Sequence, residues 1–561
     1  MIARRTGLFA AAAVALAGAL GSCGVGGHLA GGREGVPFDL QGFVDRALSA
    51  GNKRIVVPPG RYRVSPRNGQ HLLLSGLDGV EIVADGVEMV CTETTRALSI
   101  WKCRNLAIRG LTIDYDPLPF TQGRITGISP DGMVHDIELF EGYPPAAEVV
   151  EFKYEIFRPD TRTLRFGEYY GFTVERLDPG HIRIRKPDGY RDTRPEQVGD
   201  IIVIGTSHSP TSDIPHAVYC EQSSGVSLEG IRLYASNCFG FLEVACDGNT
   251  YDRCAVDRRP AVTDIRKRGD ARIRSLNADA FHSKHASLGP RYTGCVARFQ
   301  GDDCIAINGD YHMVMASAGW NLRVLSKRGI LGISPGDPVE LVSYSGARLP
   351  DARAVSVRED GESDRKEDAF IGRQRMDAGM KARGGQWLTK AYLVELDRAV
   401  SLPRGSLICA ANRVGNGFKV VDCTMGFNRS RGILVKAGNG EIRGNTLEGV
   451  WMDAIIASPE YWWLEAGSGN DLAITGNTVR NCSSRGITVA AYGGRGEVAP
   501  AGAHNSITIS GNTVEDSPAP LIRVTSTKGL LLEGNVLKPG AASATTVDPV
   551  ELVNCSEVTR R

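Results

Sequence analysis

Short apolar segments interrupted by Gly-Asn pairs recur along the C-terminal part of the chain. Four segments share the pattern apolar-x-Gly-Asn-x-apolar, at Asn445, Asn477, Asn512 and Asn535, which lie 32, 35 and 23 residues apart. Within each segment apolar and polar residues alternate with the two-residue period of a β-strand, and the Gly-Asn pair predicts a tight turn. Repeats of short strands at this spacing predict a solenoid whose coils stack strand on strand.

The predicted fold class is all-β, a right-handed parallel β-helix over residues 36–540. Asn tolerates the left-handed turn conformation, and copies on successive coils can stack into a hydrogen-bonded ladder. A solenoid end needs a cap, because unpaired strand edges would otherwise be exposed. An amphipathic segment, Phe38 to Ala50, predicts a helix that caps the N-terminal end, and residues 541–561 are predicted to be a C-terminal tail.

Two stretches without the Gly-Asn pattern, about 122–208 and 319–406, interrupt the repeat. Both alternate like strands, and they contain similar phrases at Gly199–Ile204 and Gly336–Leu341. We therefore expect two β-rich insertions, which could pair into one small barrel beside the solenoid.

The composition is that of a turn-rich globular protein, and it argues against nucleic acid as a partner. Gly makes up 67 of 561 residues, about 12% where about 7% is usual. The formal net charge is +1, and no long Lys/Arg run occurs. The chain therefore lacks the positive surface that nucleic-acid binding needs.

The N-terminus predicts export. Two arginines, an Ala/Leu/Val-rich stretch and the small residues before Cys23 match a signal peptide over residues 1–23. Leu20–Cys23 also resembles a bacterial lipobox, which predicts a lipid on Cys23, a flexible linker over 24–35 and a protein held at the cell envelope; ordinary cleavage without lipid is the alternative. The other 12 cysteines favour buried thiols over one or two disulfides, because several stand beside turn residues like small core residues.

Candidate chemistry lies in the middle of the solenoid. Asp279 follows Asn277-Ala278, and Asp302-Asp303 follow one coil later. Strands on adjacent coils are about 4.8 Å apart, so we expect the three carboxylates to converge and at least one pKa to rise. Such a set suits glycoside hydrolysis, which needs a protonated carboxyl and a carboxylate that activates water. A purely structural turn and a calcium site are the alternatives at this point.

The segments Asn277–Asp279 and Gly301–Ile307 resemble the polygalacturonase-type glycoside hydrolases of family 28. A fuller match resembles glycoside hydrolase family 110, the exo-acting α-1,3-galactosidases, which are β-helices with β-barrel insertions. The phrases that carry this match are Ile113–Gly123, Asp279–Ser283, Gly301–Asp303, Arg431–Leu434 and Trp462–Gly467.

The resemblance implies inversion of configuration without a metal or other cofactor. It implies that Asp302 or Asp303 is the general acid and that the remaining aspartates, including Asp279, position and deprotonate water. The Gly-His-Gly and Arg-Ile-Lys segments of polygalacturonases are not matched, which favours a neutral sugar over a uronate.

Residues near these motifs are candidates for substrate binding. His282 could bond a sugar hydroxyl or tune a carboxylate, a structural His being the alternative. Trp462 and Trp463 offer flat faces, although core packing is the commoner use of Trp. The full set of candidates is His282, Asn308, Arg431, Trp463, Glu465, Asp116 and Gln122.

The sequence thus predicts an exported glycoside hydrolase that acts on α-linked galactosides in an oligosaccharide or polysaccharide. A calcium-dependent β-helix polysaccharide lyase and a non-catalytic glycan-binding solenoid are the alternatives. The sequence makes no prediction of the oligomeric state.

Overall fold

In a computed structural model of the protein, the described residues are 35–187, 196–206, 215–381, 387–541 and 547–561. The predicted signal peptide, Cys23 and all but the last residue of the predicted linker lie outside these ranges. Within them, no helix is long and apolar enough to cross a membrane.

Three parallel sheets form the β-helix, and each coil of the chain visits sheet 1, then sheet 2, then sheet 3. Sheet 1 contains Val36–Pro37, Gly60–Val64, Val87–Cys91, Thr112–Tyr115, Arg232–Leu233, Ala255–Val256, Val296–Arg298, Thr424–Gly426, Thr446–Glu448, Thr478–Arg480, Thr513–Ser517 and Val536–Pro539. Sheet 2 contains Gln70–Ser75, Arg96–Trp101, Val218–Glu221, Phe241–Val244, Phe281–Lys284, Ile305–Asp310, Ile433–Val435, Ile455–Ala457, Ile487–Val489, Ile522–Thr525 and Val550–Val553. Sheet 3 contains Arg54–Val56, Glu81–Val83, Ala107–Arg109, Ser227–Glu229, Thr250–Asp252, Arg291–Thr293, Lys419–Val421, Glu441–Arg443, Asn470–Thr475, His504–Ser510, Thr527–Glu533 and Ser556–Arg560. The predicted parallel β-helix is thereby confirmed.

The N-terminal cap is the helix Leu40–Ser49. Asp39 is its N-cap, and the Asp39 carboxylate accepts a hydrogen bond of 2.9 Å from the Gly42 amide. Leu40 and Val44 are buried against the first coil, so the apolar face of the helix closes the end of the core. The predicted cap is confirmed.

Inside the solenoid, the four Gly-Asn turns stack as predicted. The Asn445 amide nitrogen donates to the Asn477 side-chain oxygen at 2.9 Å, and Asn477 donates in the same way to Asn512. Asn512 donates to Asn535, also at 2.9 Å. Because each side-chain oxygen also accepts from the backbone N–H of the preceding Asn, the ladder satisfies buried polar groups across four coils.

The cysteines also pack in this interior. All 12 cysteines of the described residues are free, and all except the half-buried Cys555 are buried. Burial raises the pKa of most of these thiols, for example that of Cys91. The prediction of buried thiols is confirmed for the described part of the chain.

The first insertion is an open seven-stranded antiparallel sheet that leaves the solenoid between sheets 1 and 2. Its strands are Phe120–Ile128, Val134–Leu139, Val149–Phe157, Leu164–Tyr170, Thr173–Asp178, His181–Arg185 and Ile201–Thr206, with a 3₁₀ turn at Ala146–Glu148. A second 3₁₀ turn, Ala261–Thr263, lies in the irregular segment before the strand Phe281–Lys284.

The second insertion leaves the solenoid between sheets 2 and 3 and forms a closed six-stranded barrel. Its strands are His312–Ala318, Asn321–Leu325, Pro338–Val342, Arg348–Glu362, Lys390–Leu396 and Leu407–Ala410, with the 3₁₀ turn Lys327–Gly329 and the helices Arg365–Ile371 and Ala378–Lys381. A closed barrel has no free strand edge, so the expectation that the two insertions pair into one barrel is wrong.

The end of the solenoid also differs from the prediction of a tail from residue 541. Val550–Val553 pairs with Ile522–Thr525, and Ser556–Arg560 pairs with Thr527–Glu533. The chain therefore adds strands to sheets 2 and 3 as far as Arg560. These strands lack the Gly-Asn pair on which the sequence prediction relied.

The Asn ladder leads to a test of stability. Asn477→Ala removes two donated and two accepted hydrogen bonds around a fully buried side chain, and leaves their partners unsatisfied. We expect unfolding to need about 3 kcal/mol less free energy, measured by urea denaturation followed by circular dichroism. Asn535→Ala, at the half-buried last rung, is the control and should cost clearly less. Equal losses at both positions would contradict a ladder in which interior rungs matter most.

Candidate active site

The register of sheet 2 brings the predicted aspartates together. Phe281 pairs with Ile305, and Ile305 pairs with Ile433. Asp279, Asp303 and Arg431 each stand two residues before these paired positions, so they lie side by side on three successive coils. Asp302 stands on the same turn as Asp303. One carboxylate oxygen from each of the three aspartates lies within 4.8 Å of the others.

Arginines from the next coil neutralise two of the three carboxylates. Arg431 holds Asp303 with two side-chain bonds of 3.0 and 2.9 Å, and its backbone N–H donates a third of 2.8 Å. Arg429 forms an ion pair with Asp302. Asp302 is the most accessible of the three, with 28% of its side chain exposed, whereas Asp279 and Asp303 are buried.

The pKa values of Asp279 and Asp302 are shifted in opposite directions. Burial raises the pKa of Asp279 well above its usual value, and the negative charges of Asp302 and Asp303 raise it further. Burial also acts to raise the pKa of Asp302, but Arg429 and Lys153 outweigh it, so that pKa is lowered. Within one cluster, the pKa of Asp279 is thus raised and that of Asp302 is lowered, a separation that suits a pair of one acid and one base.

His282 and Asn308 extend from the carboxylate cluster. The His282 Nδ1 atom lies 2.7 Å from Asp279 Oδ2, and His282 Nε2 lies 3.2 Å from the Asn308 amide nitrogen. If Asn308 donates to Nε2, the ring proton sits on Nδ1 and points at Asp279. Burial lowers the pKa of His282 to about 4, so the ring is neutral at neutral pH.

A second cluster of charged side chains adjoins the aspartate cluster. The sequence prediction included Arg431 and Glu465 of this second cluster but not Lys436 or Glu460. Arg431 also donates to Glu460 at 2.7 Å, and Lys436 forms ion pairs with Glu460 at 3.0 Å and with Glu465. Glu465 sits on a short strand, Glu465–Ala466, that pairs antiparallel with the end of Ile305–Asp310. Burial acts to raise the pKa of Glu465, but Lys436 and Lys327 lower it overall.

The sequence prediction missed Arg429, Lys436, Glu460 and Lys153. Lys436 could have been found, since it is two positions beyond Leu434 on the outward-facing row of a strand. The others lie on irregular turns or in an insertion, and no sequence pattern marked them.

The two tryptophans next to Glu465 are exposed rather than buried in the core. Trp462 is 47% exposed and Trp463 is 37% exposed. They lie between the strand Ile455–Ala457 and Glu465, on the loop that carries Glu460. Their rings are therefore available to a ligand.

Two predicted substrate-binding residues make their contacts outside the aspartate cluster. Gln122 is fully buried, and its amide group bonds the backbone of Ala271 and Ile273, so it cannot line a pocket rim. Asp116 is buried between Arg63 and Arg266 at the edge of a separate cavity of about 370 Å³. Neither residue is among the hydrogen-bonding or ion-pair partners of the aspartate cluster.

Comparison with known proteins gives one distant relative by sequence. The alpha-1,3-galactosidase B of Bacteroides thetaiotaomicron is 22% identical over 492 residues, which cover 79% of this chain and 72% of that protein. No family model matches the chain. The chain is thus a distant homologue of alpha-1,3-galactosidase B, which confirms the resemblance drawn from the sequence motifs.

Solved structures of three kinds share a long stretch of similar fold. A mannuronan C-5 epimerase module (AlgE6) of Azotobacter vinelandii is 11% identical with a TM-score of 0.38, over 94% of this chain and 97% of that one. The endo-xylogalacturonan hydrolase of Aspergillus tubingensis is 10% identical with a TM-score of 0.34, over 92% and 88%. The Streptococcus pneumoniae surface protein and adhesin PfbA is 8% identical with a TM-score of 0.35, over 92% of both chains.

The neutral state of His282 predicts how stability changes with pH. Its pKa is about 4 in the folded protein and about 6.5 when unfolded, so the unfolded chain binds the proton first as pH falls. Stability from this group is complete above pH 6.5 and is lost towards pH 4, by roughly 3 kcal/mol. His282→Gln should therefore lose less stability than the wild type across this range, in urea denaturation at several pH values. The exposed His181→Gln is the control, and parallel curves for His282→Gln and the wild type would contradict the prediction.

Proposed function

We propose that the protein is a glycoside hydrolase that releases an α-linked galactose, or a closely related neutral sugar, from the end of a glycan. The observation that carries the proposal is the convergence of three aspartate carboxyl groups within 4.8 Å, with the pKa of Asp279 raised and that of Asp302 lowered, in a distant homologue of an α-1,3-galactosidase. Exposed tryptophans on the loop between Glu460 and Glu465 offer faces against which sugar C–H groups can stack.

The charges of the site support a neutral sugar. Arg429, Arg431 and Lys436 each bond at least one carboxylate of the site. A uronate or sulfate group would have to compete with these carboxylates for its cation. A sugar hydroxyl, in contrast, can accept or donate hydrogen bonds without breaking an ion pair.

In the proposed reaction, a protonated carboxyl gives its proton to the glycosidic oxygen while a carboxylate removes a proton from attacking water. Asp302 is the carboxyl most open to a substrate, and the pKa values of Asp302 and Asp279 are shifted in opposite directions. Asp303, locked by Arg431, orients the water and balances charge. The resemblance implies the acid role for Asp302 or Asp303, whereas the raised pKa of Asp279 favours Asp279, so we take Asp279 and Asp302 as the two leading candidates.

Inversion by single displacement rests on the resemblance. The oxygens of the cluster approach within 4.8 Å, which is shorter than the roughly 6.5–9.5 Å between carboxyl groups in most inverting enzymes. Proton NMR of the first sugar anomer released decides this point: β-galactose from an α-linkage means inversion and α-galactose means retention.

Variants of the cluster test the hydrolase and assign the acid. The wild type should release monosaccharide from an α-1,3-linked galactoside in the presence of EDTA, and Asp279→Asn and Asp302→Asn should each lose at least about 100-fold in kcat/KM. With 4-nitrophenyl α-galactoside, whose leaving group needs no protonation, the variant of the acid should recover activity and the variant of the base should not.

Other outcomes identify the two alternatives. The three-aspartate cluster could hold a cation, which favours a calcium-dependent lyase, although Arg429 and Arg431 already balance two of its charges. An ultraviolet-absorbing product that EDTA suppresses would show such a lyase. Glycan binding without turnover, unchanged in the aspartate variants, would show a binding protein.

We further propose that the protein is exported and lipid-anchored, on the basis of residues 1–23 alone. Expressed in a bacterium, the full chain should partition with membranes, and Cys23→Ala should move it to the soluble fraction. A wild-type protein found only in the soluble fraction would contradict the anchor.

A further inference from the structure

A strand of the first insertion, Val149–Phe157, reaches the turn that carries Asp302. The Lys153 side chain is buried, and its Nζ atom donates a hydrogen bond of 3.0 Å to the carbonyl oxygen of Gly301. Gly301 directly precedes Asp302 in the chain. The insertion therefore places a buried amino group beside the turn that carries Asp302.

The same strand reaches the turn that carries Asp279. Glu155 is two residues beyond Lys153, so both side chains point to the same face of the strand. Glu155 forms an ion pair of 2.6 Å with Arg274, and Arg274 donates to the Asn277 side-chain oxygen at 2.9 Å. Asn277 stands two residues before Asp279, so one face of this strand contacts both carboxylate turns.

These parts of the chain pack closely against one another at Gly301. A Cβ atom on Gly301 would lie 2.6 Å from the Asn277 carbonyl oxygen and 3.1 Å from Glu155 Oε1. Only glycine fits where the two turns and the insertion meet. The position of Lys153 relative to the Asp302 turn is thus set by close packing.

Lys153 is not needed merely to satisfy the Gly301 carbonyl, because Arg429 Nε also donates to that oxygen. What Lys153 adds is an amino group from a separate part of the chain. Burial and Arg429 lower the pKa of this amino group, whereas Glu155 and Asp302 act to keep it charged. Asp302 faces the basic side chains of Arg429, Arg431 and Lys153, and the carboxyl groups of Asp279 and Asp303. Lys153 in turn faces Arg429, Arg274, Glu155, Asp302 and the neutral Cys238 thiol.

We propose that Lys153 is a positioning residue of the active site, which fixes the Asp302 turn and offsets the negative charge of the Asp302 carboxylate. The inference rests on the proposed hydrolase for its kinetic consequence, but its electrostatic part concerns the free protein. According to this proposal, the first insertion contributes a residue to the active site.

The test compares Lys153→Met, Lys153→Gln and Lys153→Arg. Both Met and Gln remove the positive charge of Lys153, but Gln keeps a hydrogen-bond donor. If the charge is what matters, the two variants should therefore show the same change in the pH profile. Loss of the charge raises the pKa of the Asp302 carboxyl, so the limb of the kcat/KM profile that Asp302 controls should move up by about one pH unit. Lys153→Arg, which stays charged, should keep the wild-type profile.

Lys186→Met is the matched control, because Lys186 is a buried lysine of the same insertion that pairs with Glu196. It should lower stability without moving the pH profile. If Lys186→Met shifts the profile as Lys153→Met does, the effect comes from loosening the insertion and the proposal is overturned.

A second measurement needs no substrate. The Asp302 carboxyl carbon in protein labelled with ¹³C-aspartate, assigned by its loss in Asp302→Asn, should titrate about one unit higher in Lys153→Met than in the wild type. An unchanged titration overturns the proposal even if the wild type hydrolyses galactosides. A shifted titration in a protein without hydrolase activity supports the electrostatic role proposed for Lys153 and contradicts only the proposed function.

Discussion

The register between successive strands of sheet 2 is the constraint on which the candidate site depends. Asp279, Asp303 and Arg431 are far apart in sequence, yet each stands two residues before a strand whose partners are fixed by backbone hydrogen bonds. A slip of one residue would turn the side chains of the strand to the opposite face. The ladders in sheets 1 and 3 and the stacked asparagines oppose such a slip, so the distant coils also hold the carboxylates in place.

The site concentrates charge in a buried region without leaving much of it unbalanced. Asp303 has Arg431, Asp302 has Arg429 and Lys153, and Glu465 has Lys436. Asp279 has the neutral His282 as its neighbour, at 2.7 Å. The uneven distribution of cations thus helps to separate the pKa values of otherwise similar carboxyl groups, as a reaction that needs both an acid and a base requires.

The repetitive part of the fold and the core of the site could be predicted from sequence, because both depend on local patterns. The Gly-Asn turns revealed the solenoid, and a one-coil spacing placed Asp279 near Asp302 and Asp303. Local patterns said nothing about which insertion residues return to the site, so Lys153 was missed. They also could not show that the side-chain amide of Gln122 forms its hydrogen bonds with the backbone of Ala271 and Ile273.

The buried cysteines give the chain a property unrelated to catalysis. Thiols stack on neighbouring coils, as where the Cys220 and Cys246 sulfur atoms lie 3.7 Å apart, and packing shields them from reagents. A thiol reagent can reach most of them only after the coils separate. The rate at which such a reagent modifies the native protein therefore reports how often the solenoid opens, without any added label, and the sites modified first would show which coils open first.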